Sequence, residues 1–162
     1  FINNFRNEAL SRITDAKEKA EMDSLSKAPV KLVPEGYENA RKIEVGVLRG
    51  MKFDKSVIEA KAGEQIAIAL TNNDPDGLMH NLAVIKPGTR QSVLEATIAL
   101  GPKAIEKNFI PDTPALLGST PQVAPGRRFT LYLTLPDKPG DYEYVCTYPG
   151  HGQLMWGTLK VK

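Results

Sequence analysis

Cysteine is almost absent from this sequence: Cys146 is the only one in 162 residues. An intrachain disulfide is therefore excluded, and with it a disulfide-stapled scaffold. Long apolar runs are missing too; none approaches the about 18 residues of a membrane-spanning helix, so no transmembrane segment is expected. Charge of one sign is not in excess, since the formal net charge is +2 and is spread along the chain. That balance gives no footprint for nucleic acid or an anionic membrane, and no nucleic-acid partner is expected. Histidine is confined to His80 and His151. The chain opens on Phe1 rather than an initiator methionine, which leads us to expect that a leader or upstream region is absent from it.

What is present is enough for one domain of ordinary size, roughly 100 to 200 residues, plus an appendage. From Ile2, the residues Phe5, Ala9, Ile13, Ala16 and Ala20 recur at steps of three or four, with Arg, Lys and Glu elsewhere on the wheel. This predicts an amphipathic N-terminal helix that Ala28-Pro29 ends. Such a helix suits packing on its own domain, contact with a dimer partner or parent protein, or a membrane surface. Residues 1–40 are read as helix and linker, and 41–162 as the main domain.

From Lys42 the period falls to near two, with short strands expected at 43–48, 57–60, 65–72, 80–85, 128–135, 142–146 and 158–162. Ser92 followed by Glu95 reads as a capping box opening one inserted helix, which Gly101-Pro102 stops. Residues 112–126 read as loop. Regularly spaced strands, one helical excursion and no internal repeat predict an all-β antiparallel sandwich.

The segment from Cys146 to Met155 carries a thiolate, an imidazole (His151) and a thioether within ten residues, and His80-Asn81 lies far upstream. A lone cysteine is commonly a small buried hydrophobe and a lone methionine a gap filler. Here, however, the only cysteine and both histidines fall into one pattern. Copper(I) prefers soft sulfur donors and copper(II) accepts imidazole, so two histidines, a cysteine and a weak axial methionine serve both oxidation states. One copper ion held by His80, Cys146, His151 and Met155 is the expectation.

The Cys-x4-His-x3-Met spacing, His80-Asn81, and Gly157-Thr158-Leu159-Lys160-Val161 resemble the azurin- and auracyanin-like blue (type 1) copper proteins of the cupredoxin family, over roughly 42–162. The resemblance implies a Greek-key cupredoxin β-sandwich with copper at one end. It implies His80, Cys146 and His151 as strong trigonal ligands and Met155 as the long axial one. Asn81 would brace the ligand loop near Thr147, and the amides of Asn81 and Tyr148 would point at the sulfur. Met79 stands where azurin has a glycine whose carbonyl approaches copper, which is a departure, and a single cysteine cannot form the azurin disulfide. The implied function is one-electron transfer, cycling Cu(I)/Cu(II), by a carrier and not an enzyme. Cytochromes or dehydrogenases are the implied partners, and the implied location is periplasmic or otherwise extracytoplasmic. Leu78, Pro149 and Leu154, with Met79, flank the ligands and form the expected apolar docking patch around His151.

Two other readings compete: a copper-binding interaction module, and the electron-entry domain of a larger redox enzyme, whose catalytic copper would require histidines this chain does not have to spare. Tyr142 and Tyr144 are expected in the core with a hydroxyl bonded to backbone, and Trp156 partly buried. Asp74, Asp76, Asp112 and Asp137 adjoin Pro or Gly and read as turn residues, not as a metal or acid/base set.

Overall fold

The computed structural model describes residues 33–162. The amphipathic helix expected from Ile2, and its end at Pro29, lie outside the described residues.

Among the described residues, nine strands form two sheets: β1 Arg41–Leu48, β2 Lys52–Phe53, β3 Val57–Ala60, β4 Gln65–Thr71, β5 Ala83–Ile85, β6 Leu116–Ser119, β7 Arg128–Thr134, β8 Gly140–Val145 and β9 Trp156–Val161. One sheet runs β2-β1-β4-β7 and the other β3-β9-β8-β5-β6. Among the described residues one α-helix, α1 (Arg90–Ile98), and a 3₁₀ turn at Gly101–Lys103 interrupt the strands. The result is the all-β, two-sheet sandwich with one inserted helix.

Alternation explains the layering. On β8, Tyr142 and Tyr144 point with Cys146 into the core between the sheets, where Ile66, Ile68, Leu70, Leu82, Val84 and Leu159 meet them. Val145, on the opposite face, joins Ala83, Ile85, Val93 and Leu94, so α1 covers the outer face of the five-stranded sheet. Both core tyrosines satisfy their hydroxyls on backbone: Tyr142 donates to the Lys138 carbonyl at 2.8 Å and Tyr144 to the Lys55 carbonyl at 2.5 Å.

Three expectations need correction. The sandwich is not purely antiparallel, because β1 pairs parallel with β4 and β9 parallel with β3. The chain passes from one sheet to the other between β3 and β4, so these two consecutive strands are not partners, and alternation alone does not name a partner. Residues 116–119 form an edge strand on β5 instead of loop. Nor does α1 open on a capping box: it begins after Thr89 without a side-chain cap. Ser92 Oγ donates back to the Thr89 carbonyl, and Glu95 accepts from Gln91, one turn away, because Pro87-Gly88 has already turned the chain into the helix.

Candidate metal centre

Register alone carries three of the predicted ligands to one end of the five-stranded sheet. Ala83 of β5 faces Val145 of β8, and Val145 also faces Trp156 of β9. Continuing the first antiparallel pair by two residues sets Asn81 against Thr147; continuing the second by one sets Cys146 against Met155. Hydrogen bonds follow that continuation. The Cys146 N–H donates to the Met155 carbonyl at 3.0 Å. Asn81 Oδ1 accepts from the Thr147 N–H at 2.8 Å, and its Nδ2 donates to Thr147 Oγ1 at 2.9 Å. His80 lies just ahead of β5, held by a two-bond bridge to Val123. His151 sits on the connecting loop, where its carbonyl accepts from the N–H groups of Leu154 and Met155, a turn that brings Met155 back to β9.

The donors converge. Cys146 Sγ is 3.9 Å from His80 Nδ1 and 3.7 Å from His151 Nδ1. Among the described residues these three form a group whose ligand atoms all lie within 4.8 Å of one another, and all three residues are buried. A metal bound there could sit ~2.3 Å from Cys146 Sγ and ~2.0 Å from each imidazole nitrogen, since both separations are shorter than the sum of those two bond lengths. Met155 is fully buried in the same core cluster as Cys146. The donor set, one thiol and two imidazole nitrogens with a thioether nearby, fits a soft one-electron metal such as copper and offers no carboxylate facing the shared point.

The electrostatics agree with a ligand role. Burial pushes the Cys146 thiol up to about 11, opposed by hydrogen bonds from the amides of Asn81 and Tyr148, which favour the thiolate. Burial and the neighbouring His80 hold the His151 imidazole below its ordinary value, against the opposing pull of Asp74, which favours the neutral ring that ligation requires. The ring of His151 packs on Tyr148 at 4.6 Å between centroids, and Tyr148 in turn on Phe109 at 4.9 Å. Phe109 also accepts, through its carbonyl, a 2.6 Å bond from Thr147 Oγ1. Leu78, Met79, Pro149 and Leu154 are all exposed, so they are not packed beneath the loop. Trp156 is 38% exposed, with the Arg90 guanidinium 3.9 Å above its ring.

Two contributors escaped the sequence reading. Asp74, read as a turn residue, is buried with Oδ2 2.6 Å from His80 Nε2. Phe109 had no signal at all, because its approach to Tyr148 depends on the path of a long connection.

The family model described as copper binding proteins, plastocyanin/azurin family, matches residues 40–162. Auracyanin-A of Chloroflexus aurantiacus is 31% identical over 114 residues, covering 68% of this chain and 67% of its own. Outer membrane protein H.8 of Neisseria gonorrhoeae is 32% identical over 116 residues, covering 67% of this chain and 61% of its own, so the chain spans under two thirds of that relative. The solved structure of reduced auracyanin from Roseiflexus castenholzii superposes with a TM-score of 0.67 at 28% identity, over 76% of this chain and 98% of that one.

Proposed function

Because this chain belongs to the plastocyanin/azurin family of copper-binding proteins, we propose that it carries single electrons between redox partners through one type 1 copper centre held by His80, Cys146, His151 and Met155. It is an electron carrier, not an enzyme. The observation that carries the ligand assignment is the meeting of Cys146 Sγ with both histidine Nδ1 atoms in one buried place. Copper held there would supply the Cu(I)/Cu(II) couple, with His80, Cys146 and His151 as the strong donors to both states and the Met155 thioether as the weaker one.

The remaining residues hold that arrangement still. Asn81 ties Thr147, and so Cys146, to the strand that presents His80, while the Phe109–Tyr148–His151 stack limits rotation of the loop imidazole. Burial of Cys146, His80 and Met155 excludes water from the metal's surroundings. His151 is 6% exposed and the most exposed of the three strong donors, and the exposed apolar residues Leu78, Met79, Pro149 and Leu154, which flank the ligands in sequence, are the electron port. A small apolar patch suits brief contact with a cytochrome or dehydrogenase. Residues 41–162 are the copper domain and 1–40 an appendage able to meet a dimer partner or parent protein. An extracytoplasmic, periplasmic location goes with this reading, supported by the name of the Neisseria relative as an outer membrane protein.

The visible spectrum of the copper-loaded protein tests the assignment. An intense thiolate-to-copper band is expected, lost in Cys146→Ser while the circular dichroism of the sandwich persists. A folded Cys146→Ser protein that keeps the band would refute the ligand set.

A further inference from the structure

Asp74 stands apart from the other turn aspartates. Its side chain is 1% exposed and faces the fully buried ring of His80. A carboxylate is almost never buried to this degree without a partner, and here the partner is the Nε2 atom at 2.6 Å. The other carboxylate oxygen, Oδ1, accepts the Asp76 N–H at 2.8 Å, so neither oxygen is free to turn away. The backbone is fixed as well: the Asp74 N–H donates to Asn72 Oδ1 at 3.0 Å and its carbonyl accepts from Gly77. Asn72 Nδ2 then donates to the carbonyls of Leu78 and Val123 at 2.8 and 2.7 Å, joining this turn to the segment that bridges His80.

The imidazole of His80 thus has its two nitrogens committed in opposite directions. Nε2 meets the Asp74 carboxylate; Nδ1 faces Cys146 Sγ. An ionised carboxylate can only accept, so the ring proton resides on Nε2, and the Nδ1 lone pair is left for a metal.

We propose that Asp74 is a positioning residue of the copper site, an anionic anchor that orients His80 through Nε2 and whose buried negative charge favours the more highly charged oxidation state, Cu(II). The inference rests on the assignment of His80 as a ligand. Charge in a poorly screened interior acts more strongly than at the surface, so Asp74 matters where Asp76 does not. Asp76 is 46% exposed at its side chain and faces Arg49, which makes it a control for the same change of charge one turn position away.

The test compares copper-loaded wild type with Asp74→Asn and Asp76→Asn by voltammetry, together with proton NMR of the diamagnetic Cu(I) wild type. Asp74→Asn should stay blue while the preference for Cu(II) over Cu(I) falls at least tenfold, a rise of ~59 mV or more for a one-electron couple. Asp76→Asn should change that preference less than threefold. In wild type, His80 should show an Nε2 proton that is shifted downfield and protected from exchange. A blue Asp74→Asn protein with a preference within threefold of wild type overturns the inference and leaves the ligand assignment standing. A wild-type His80 with no protected Nε2 proton overturns it too, and this arm decides even if Asp74→Asn does not fold. A copper-loaded wild type without the thiolate band overturns the ligand assignment and the inference with it.

Discussion

Asn81→Ala cuts the tie between the strand that presents His80 and the loop that begins at Cys146. Asn81 is fully buried and makes three side-chain bonds: Oδ1 accepts from the Thr147 N–H, and Nδ2 donates to Thr147 Oγ1 and, at 3.2 Å, to Ser119 Oγ. The losses are unequal. Both hydroxyls retain another partner, since Thr147 Oγ1 still donates to the Phe109 carbonyl and Ser119 Oγ to the Thr120 carbonyl. The Thr147 amide has no such reserve; Thr147 is 1% exposed, and a buried N–H left without an acceptor costs ~1–3 kcal/mol. Adding about 0.5 kcal/mol for each weakened hydroxyl contact puts the total near 3 kcal/mol. At roughly 4 °C per kcal/mol for a domain of this size, the metal-free protein should melt about 12 °C lower. Thermal and urea denaturation followed by circular dichroism measure this, with Thr147→Val as partner variant, because it removes the hydroxyl bonds but keeps the amide bond. Thr147→Val should therefore cost about 1 kcal/mol, less than Asn81→Ala. Since Thr147 follows Cys146 directly, copper should also dissociate faster from Asn81→Ala. A metal-free Asn81→Ala protein within 1 kcal/mol of wild type would show that the buried amide finds another acceptor and that the tie is not what stabilises this end of the sheet.

Gly157→Ala should destabilise the fold by ~1–3 kcal/mol, because a Cβ there would overlap the buried Tyr144 ring and force it off its bond to the Lys55 carbonyl; chemical denaturation reads this, and an unchanged midpoint would contradict it. Copper(II) uptake should release at least about one proton near pH 7, since the Cys146 thiol, held up near about 11, must give up its proton to bind. Its affinity should therefore rise with pH below that value, and calorimetry in buffers of different ionisation enthalpy measures the proton count. Leu154→Asp should slow electron self-exchange at low salt, where two facing patches would repel, and recover as the charge is screened over ~10 Å at 0.1 M ionic strength. Leu154 is 60% exposed, so the absorption band should not move; an unchanged exchange rate in a blue, folded variant places the port elsewhere.

The centre was legible because its residue types are scarce here. With one cysteine and two histidines in the chain, the pattern Cys146, His151, Met155 plus His80 had no competitor. Strand alternation likewise revealed the inward tyrosines, since a period of two assigns faces without knowledge of partners. Partner choice was not legible for the same reason: Val57–Ala60 reads as a strand, but nothing in it says that it lies parallel to Trp156–Val161. The strand Leu116–Ser119 lacks alternation and sits among Pro and Gly, so its pairing to β5 is a tertiary effect. Asp74 was hidden by having two roles at once. Its Oδ1 makes the local turn bond that a sequence reading expects of aspartate, and only its other oxygen reaches His80.

The division of labour among the ligands follows from how each is held. His80 and Cys146 are placed by continuation of the β5–β8 pair, and Cys146 and Met155 by continuation of β8–β9, so moving any one of them means breaking a ladder and the side-chain bonds that extend it. His151 depends instead on a loop turn and on the ring stack with Tyr148 and Phe109. The ladder-held donors are sealed from solvent, whereas His151 is 6% exposed. A carrier needs both properties: donors that do not rearrange when the metal's charge changes, and one ligand through which a partner can approach. On the proposed reading, sheet register would supply the first in this chain and the connecting loop the second, so loop substitutions should act mainly on exchange with partners and strand-end substitutions mainly on the metal.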